Sequence, residues 1–525
     1  MARDVNRLGI VGTGVMGAGI AQIAAQSGLN VVLFDKNEGA AHKARDGLKA
    51  TFDKLVGKGK ITRQSAEVAL SHLSVVESLP ALADCDVVIE AIVEDLGIKQ
   101  ALFADLEAIV DRECILATNT SSLSVTSIAA DLNCRDRVAG FHFFNPVPLM
   151  KVIEVIGGIG TDEAVVDTLL KLASRLGHTG VRAQDTPGFI VNHAGRAYST
   201  EGLKILEERV APTEDIDRIL REEAGFRMGP FELFDLTGLD VSHPAMEAIF
   251  TQFYHDQRYR PSYISRQMLK GNRLGRKTGV GFYRYEKGQK VDVPASRPVP
   301  EITDLPPIWV GCDDTGLHTH VASLLASLGG RVEQTASPSE EALCILLPFG
   351  DDAVSASAYF GTDPERTVCL DALMGLERHR TLMVTPVTRH EMRDVAHALF
   401  ASDGTYVTVI RDSVGFVSQR VLAAVVNLAC DIAQREIATP ADIDNAVRLG
   451  LNYPQGPLAW GDALEPKRLL GILTRIHALT GDPRYRPSPW LRRRAMLGIS
   501  LLHPSSGARR CWRGIMLVQK GGALW

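Results

Sequence analysis

Short β-prone apolar runs alternate with longer amphipathic stretches through the first 185 residues of this 525-residue chain. The runs are RLGIVG (7–12), NVVLFD (30–35), CDVVIEAI (85–92), CILATNTS (114–121) and RVAGFHFF (137–144). Helix-period segments such as LGIKQALFADLEAIV (96–110) separate them. This alternation predicts a doubly wound α/β sheet over 1–185. A helical pattern then fills 186–290, opened by DTPGFIVNHAGRAYSTEGLKILEE (185–208), where Asp185 and Pro187 suit a helix start. The Pro-rich, charged stretch around 291–307 reads as a linker. Strand-like runs return over 308–410 as IWVG, RVEQT, LCILLPFG, TVCLDAL, TLMVTPV and YVTVI. Residues 411–502 are helical again, and 503–525 form an irregular tail.

The turn after the first run spells G-x-G-x-x-G at Gly12, Gly14 and Gly17. Gly12 permits a tight turn, Gly14 lets backbone approach a pyrophosphate, and Gly17 allows close helix–strand packing. Phosphates then sit on amides at a helix N-terminus, where the dipole favours negative charge. Three glycines alone are weak evidence, but here they open a strand–helix–strand unit, and Asp35 closes its second strand. The expectation is a Rossmann-like domain that binds NAD. A carboxylate at Asp35 accepts from ribose hydroxyls and repels a 2′-phosphate, which disfavours NADP. In the second half the turn has decayed to GCDDTG (311–316). Residues 412–464 nevertheless match 185–237 at a constant offset of 227, pairing Asp185 with Asp412, Gly188 with Gly415, Phe189 with Phe416, Asp215 with Asp442 and Gly229 with Gly456. A fixed period marks duplication. The fold class is therefore an α/β Rossmann-like N-terminal domain plus an all-α helical domain, followed by a degenerate repeat of both. The helical copy can serve as an intrachain partner for the first.

In such sheets ligands bind at the carboxyl ends of strands, where Glu94, Asn119, Ser121 and His142 fall. A lone strand histidine is usually structural. His142, however, lies in GFHFFNPVPLMKVIEVI (140–156), two β-prone runs joined by a turn, and the second run carries Glu154. A hairpin brings such side chains across from each other. A carboxylate on one ring nitrogen fixes the tautomer and leaves the other nitrogen as a base. Histidine's ordinary pKa of about 6.5 suits removal of an alcohol proton. Ser121 belongs to an Asn/Ser turn in which Ser122 or Ser124 caps a helix. Asn192, in the first turns of the helical domain, could donate to a carbonyl or alkoxide oxygen, or be a surface residue.

Composition changes little. At 45% hydrophobic, 23% charged and net −5, nothing calls for nucleic acid or membrane, and no run reaches the roughly 18 apolar residues of a span. No signal peptide is expected at the N-terminus. Eight cysteines without a C-x-x-C pair indicate neither metal nor disulfides, and a cytoplasmic setting.

Together the motifs GTGVMGAGIAQIAAQSG, VIEAIVEDLGIKQALF, ATNTSSLSVTSIA, GFHFFNPVPLMKVIEV, DTPGFIVNHAGRAYSTEG and LGRKTGVGFYRY, in this order across 7–285, resemble the L-3-hydroxyacyl-CoA dehydrogenases. The resemblance implies NAD-dependent oxidation of an L-3-hydroxyacyl-CoA to the 3-oxoacyl-CoA. His142 matches the general base and Glu154 its paired acid. Ser121 and Asn192 match groups around the reacting oxygen. Gly12, Gly14, Gly17, Asp35, Glu94, Lys99, Asn145 and Lys277 match cofactor-contact positions, and Thr51 and Lys58, with Ser121, match substrate-side positions for CoA. The long duplicated layout resembles bacterial dehydrogenases of aerobic phenylacetate catabolism, which act on 3-hydroxyadipyl-CoA. Arg196, Arg227 and Lys204 are candidates to meet that substrate's distal carboxylate. A homo-oligomer is open. No crotonase-like segment precedes residue 1, so a bifunctional β-oxidation enzyme is not expected. The alternatives are a 3-hydroxybutyryl-CoA dehydrogenase or acetoacetyl-CoA reductase, or a non-catalytic protein on this fold.

Overall fold

The computed structural model describes residues 4–291, 297–302 and 304–504. The first sheet has eight strands: β1 (Arg7–Val11), β2 (Asn30–Phe34), β3 (Leu73–Val75), β4 (Val87–Glu90), β5 (Ile115–Thr118), β6 (Val138–Phe143), β7 (Val152–Gly157) and β8 (Thr179–Gln184). Their order is β3-β2-β1-β4-β5-β6-β7-β8. Every neighbouring pair is parallel except β6 and β7. β4, β5 and β6 are buried along their whole length, because helices cover both faces. That is why they read as continuous apolar runs. Ile10, Val31, Ile89, Phe141 and Ile153 are central to the core.

A small hairpin follows the first helical region, formed by β9 (Arg284–Glu286) and β10 (Gln289–Val291). The second sheet is β11 (Ile308–Gly311), β12 (Leu343–Leu346), β13 (Thr367–Leu370), β14 (His379–Val384) and β15 (Tyr406–Ile410), in sequential order. Here too one pair, β13 and β14, is antiparallel. β14 and β15 start 227 residues after β7 and β8, so the duplication extends upstream of 412. RVEQT is not a strand: only Val332 bridges to Ile308, and its polar neighbours stay exposed or half-buried.

The chain divides into two compact units that cut across the expected linear order. One runs up to Val191 and takes in Cys430–Gly450; the other holds Asn192–Ala429 and Leu451–Met496. In the first, the Gln184 amide at the end of β8 donates to Ile437 O (2.9 Å). In the second, the Arg411 amide just after β15 donates to Val210 O (3.0 Å). Since 437 is 210 plus 227, each sheet is tied to the helical repeat of the other half.

The two helical repeats also meet inside the second unit. Arg420, on the Val417–Gln434 helix, is buried and donates to Glu201 (2.8 Å) and Glu208, and to the Tyr485 hydroxyl (2.9 Å). Tyr485 in turn donates to Glu201 (2.7 Å), and Arg484 to Thr200 (2.8 Å). Among the described residues no helix is long and apolar enough to cross a membrane. The tail expected over 503–525 lies, beyond Pro504, outside the described residues.

Candidate active site

Gly12, Glu90, Asn119 and His142 sit at or just beyond the carboxyl ends of β1, β4, β5 and β6, which are mutually parallel neighbours and so share one sheet edge. Gly12 has φ 93°, and a Cβ there would lie 2.6 Å from Ala91 O. A Cβ on Gly17 would meet Gly12 O at 1.9 Å, so these two glycines are demanded by packing. Gly14 differs. A Cβ there would meet nothing within 4 Å, and the Val15–Gln26 helix that it precedes carries no side-chain cap and no acid in its first turn. An open helix N-terminus of this kind fits a dinucleotide pyrophosphate. Asp35, half-buried just past β2, accepts from Thr13 N (2.8 Å) and Oγ1 (2.9 Å) and from Asn37 N (3.0 Å). Burial works to raise its pKa, but these hydrogen bonds prevail and hold it below the usual value.

Next to this turn lies a buried charge array that the sequence reading missed. Glu90 is fully buried, accepting from Lys99 Nζ (2.5 Å), Ile92 N (2.7 Å) and Thr118 Oγ1 (2.6 Å). An acid inside VVIEAI was the available signal. Lys99, expected at a cofactor contact, is only 1% exposed and is committed to Glu90 and to Glu94 (3.3 Å). Its influence on the crevice therefore passes through Glu94. The Glu94 carboxylate gathers Thr120 Oγ1 (2.7 Å), Ser121 N (2.9 Å), Ser122 N and Oγ (both 3.0 Å), and more loosely Ser121 Oγ (3.4 Å). Burial opposes its ionisation, yet the Thr120 bond, the Lys99 charge and the serine bonds lower its pKa.

His142 and Glu154 are register partners across β6 and β7. Nδ1 of His142 lies 2.7 Å from Glu154 Oε2. The other carboxylate oxygen accepts the amides of Ile190 (2.9 Å) and Val191 (2.8 Å), at the start of the Val191–Glu207 helix. With Glu154 accepting, Nδ1 carries the proton and Nε2 is left with its lone pair, able to accept one. The ring packs beside Phe144 and Phe189, with centroids at 4.4 and 5.8 Å. Asn119 Oδ1 accepts the Phe143 amide (2.9 Å), pinning the end of β6 to β5.

The remaining positions differ in setting. Asp185 does not start the helical domain. Its carboxylate accepts from Ser124 Oγ (2.7 Å), Val125 N (3.0 Å) and Thr126 N (2.7 Å), so it binds the first turn of the Val125–Ile128 helix. Ser124 is that helix's cap, whereas the Ser122 hydroxyl goes to Glu94. Asn192 occupies the first turn of the Val191–Glu207 helix. Asn145 is exposed in the β6–β7 turn. Thr51 bonds Gly47 O within the Ala40–Gly57 helix, and Lys58 is exposed at that helix's end. In the second unit Lys277 pairs with Asp240 (2.6 Å).

Comparison with known proteins decides the family. Residues 7–186 match the 3-hydroxyacyl-CoA dehydrogenase NAD binding domain, and 188–285 and 415–499 both match the C-terminal domain of that family. The chain belongs to the 3-hydroxyacyl-CoA dehydrogenase family. This dehydrogenase is 38% identical over 500 residues, 95% of its length and 99% of the relative's, to the 3-hydroxyadipyl-CoA dehydrogenase of Escherichia coli K12. Its first half is 40% identical to the whole 3-hydroxybutyryl-CoA dehydrogenase of Clostridioides difficile, covering 54% of the present chain. A crystal structure of 3-hydroxybutyryl-CoA dehydrogenase from E. coli K12 superposes with a TM-score of 0.83 at 35% identity, over 94% of this chain and 99% of that one. The dehydrogenase uses NAD as its cofactor and acts on 3-hydroxyacyl-CoA substrates.

The second half of the dehydrogenase carries no equivalent of the His–Glu pair. Thr381 stands at Glu154 plus 227, and Asp371 lies opposite it, its amide donating to Thr381 O (2.9 Å). Gln419, at Asn192 plus 227, has its side chain spent on Gly350 N (2.8 Å), Pro348 O (3.0 Å) and Asp371 Oδ1 (3.0 Å).

Proposed function

We propose that this dehydrogenase removes the 3-hydroxyl proton of its substrate with His142 Nε2, and that its substrate is 3-hydroxyadipyl-CoA. The observation that carries the first part is the 2.7 Å His142–Glu154 contact, with the second carboxylate oxygen saturated by two amides. Glu154 holds the imidazole in one tautomer and balances the positive charge that the ring gains with the proton. NAD, when bound, supplies the hydride acceptor. Gly12 and Gly17 allow the tight turn and Gly14 leaves room for its pyrophosphate, Asp35 receives ribose hydroxyls, and Glu94 orders the Ser121 loop beside it. Asn145 is a further contact. Ser121 and Asn192 hold the reacting oxygen, while Thr51 and Lys58 receive the CoA portion. A reducing cytoplasm suits a chain whose described cysteines form no disulfide.

The adipyl assignment rests on the full-length relative and on a cation able to receive a carboxylate. Lys204 is already shared between Glu208 (3.1 Å) and Asp482 (3.2 Å). Arg227 is exposed. Arg196, one turn beyond Asn192 on the same helix, has no carboxylate partner among the described residues, and donates only to Asn192 O (2.9 Å). Its burial lowers its pKa to about 10 and leaves it a cation at neutral pH. NADH formation with a panel of 3-hydroxyacyl-CoAs tests both parts. His142→Gln lowers kcat by about 10²–10⁴-fold with NADH binding intact; an equal loss of NADH binding reassigns His142 to structure. Arg196→Met raises KM for the carboxylate-terminated substrate and spares the butyryl one. If the butyryl substrate is preferred by the wild type, the four-carbon reading suggested by the shorter relatives replaces the adipyl one.

A further inference from the structure

A cavity of about 590 Å³ lies within the second unit, where the loop after the Val191–Glu207 helix faces β15. Its volume is that of a small-molecule site, for which about 300–1,000 Å³ is typical. Five arginines line it (Arg209, Arg218, Arg297, Arg393 and Arg411) against a single carboxylate, Asp215. Asp215 is paired with Arg218, and Arg393 with Asp394 (2.8 Å), so the surplus charge falls on Arg209, Arg297 and Arg411, all exposed. The rest of the wall is largely aliphatic, including Val210, Val384 and Ile410.

The duplication supplies an internal control. At the offset of 227, Arg209, Arg218, Arg393 and Arg411 correspond to Glu436, Asn445, Val166 and Gln184, while Asp215 corresponds to Asp442. The acid is common to both copies and these arginines belong to one. In the first unit the Gln184 side chain donates to Glu436 O (2.9 Å) and takes up the corresponding place. Arg182, the arginine nearest to it in sequence, corresponds to Val409 and is consumed by Glu163 and Asp167. The fold does not need this cationic cluster, because the sister copy builds the same strand-to-loop junction without it.

We propose that this cavity is a second ligand site, for an organic molecule that carries two or more phosphates beside an apolar or planar body. Guanidinium forks bind phosphate oxygens bidentately, and the aliphatic wall receives the body. Free adenine nucleotides and the phosphorylated ADP end of CoA share this chemistry.

The test is calorimetric titration of the full-length enzyme with inorganic pyrophosphate, ADP and CoA, in which binding at the glycine-turn crevice is common to wild type and variant and the second site is the difference between them. It is repeated on a double variant, Arg209→Asn with Arg411→Ser. Both side chains are exposed, and asparagine tolerates the left-handed φ of 57° at position 209. Pyrophosphate and ADP should bind the wild type and lose at least about tenfold affinity in the variant, with Tm and turnover of 3-hydroxybutyryl-CoA unchanged. A second equivalent of CoA that disappears in the variant names CoA esters as the source; ADP binding more tightly than CoA names nucleotides. The site is refuted if neither phosphate probe binds the wild type up to millimolar concentration, if the variant binds them equally, or if citrate displaces them at lower concentration than either.

Discussion

Glu154 receives three donors on two oxygens: an imidazole N–H and two amides at a helix start. Its carboxylate therefore both orients the imidazole and anchors the start of the Val191–Glu207 helix. A glutamine keeps the size but turns one acceptor into a donor, so one of the three N–H groups must face an NH₂. Glu154→Gln should lower kcat by about 10²–10⁴-fold and also destabilise the protein by about 1–3 kcal/mol for the buried donor left unmatched. Steady-state rates and thermal melts check both, and wild-type turnover in this variant would mean that the imidazole needs no partner. The pairing of His142 with Glu154 was legible because strand side chains alternate with period two. The amides of Ile190 and Val191 were not, since nothing in positions 154 and 190 records that the chain returns there after β8. For the same reason Asp185 read as the start of the next helix. Its three donors come from residues 124–126, some sixty positions back. Lys99 fits a family motif as well as a buried ion pair, and only its 1% exposure separates the two.

At the scale of elements, the antiparallel pair β13–β14 repeats β6–β7 without the His–Glu pair, since Cys369 and Thr381 stand at the corresponding positions. Asp371 takes the place across from the counterpart of Glu154, buried, with Oδ2 lacking any hydrogen-bond partner. Burial, reinforced by the negative charge of Glu223, raises its pKa from 3.8 to about 8. Glu223 is itself held by His379 Nδ1 (3.0 Å) and by the hydroxyls of Thr381 and Ser418. The folded chain thus keeps the Asp371 proton up to about pH 8, whereas the unfolded chain releases it near pH 4. Between those values the folded state binds more protons, so this group's contribution to stability falls as pH rises through that window. Asp371→Asn removes the titration and keeps the oxygen that accepts from Leu373 N and Gln419. Its Tm relative to wild type should therefore climb between about pH 4 and pH 8 and level off above that. A difference that is flat with pH would show that Asp371 is ionised throughout. Sequence periodicity revealed the repeated strands, but alignment at 227 puts Cys369 at the position of His142. Only the observed register identifies Asp371 as the residue facing Thr381.

For the whole molecule, the decisive feature is that the halves exchange partners. The end of β8 bonds to Ile437 from the second helical copy, and the chain after β15 bonds to Val210 from the first. Gly450, from the second half, packs so tightly on Val191 and Val152 that a Cβ would lie 2.9 Å from Val191. In the other unit the buried Arg420 guanidinium, again from the second half, neutralises Glu201 and Glu208 of the first. Each compact unit is thus assembled from both halves of the sequence, and neither half contains a complete one. Removing one partner from a buried ion pair costs about 3–5 kcal/mol, because the charge left behind is uncompensated. Separating the halves would strand Arg420, Glu201 and the exposed strand ends together. Cleavage at an engineered protease site within 292–307 should therefore leave two fragments that co-elute in gel filtration and retain dehydrogenase activity. The N-terminal fragment expressed alone, although it carries the glycine turn, His142 and Glu154, should be inactive or self-associate until the C-terminal fragment is added. A first fragment that is monomeric and fully active on its own would mean that the exchanged contacts are dispensable, and that the second half is an appendage, not the structural complement of the first.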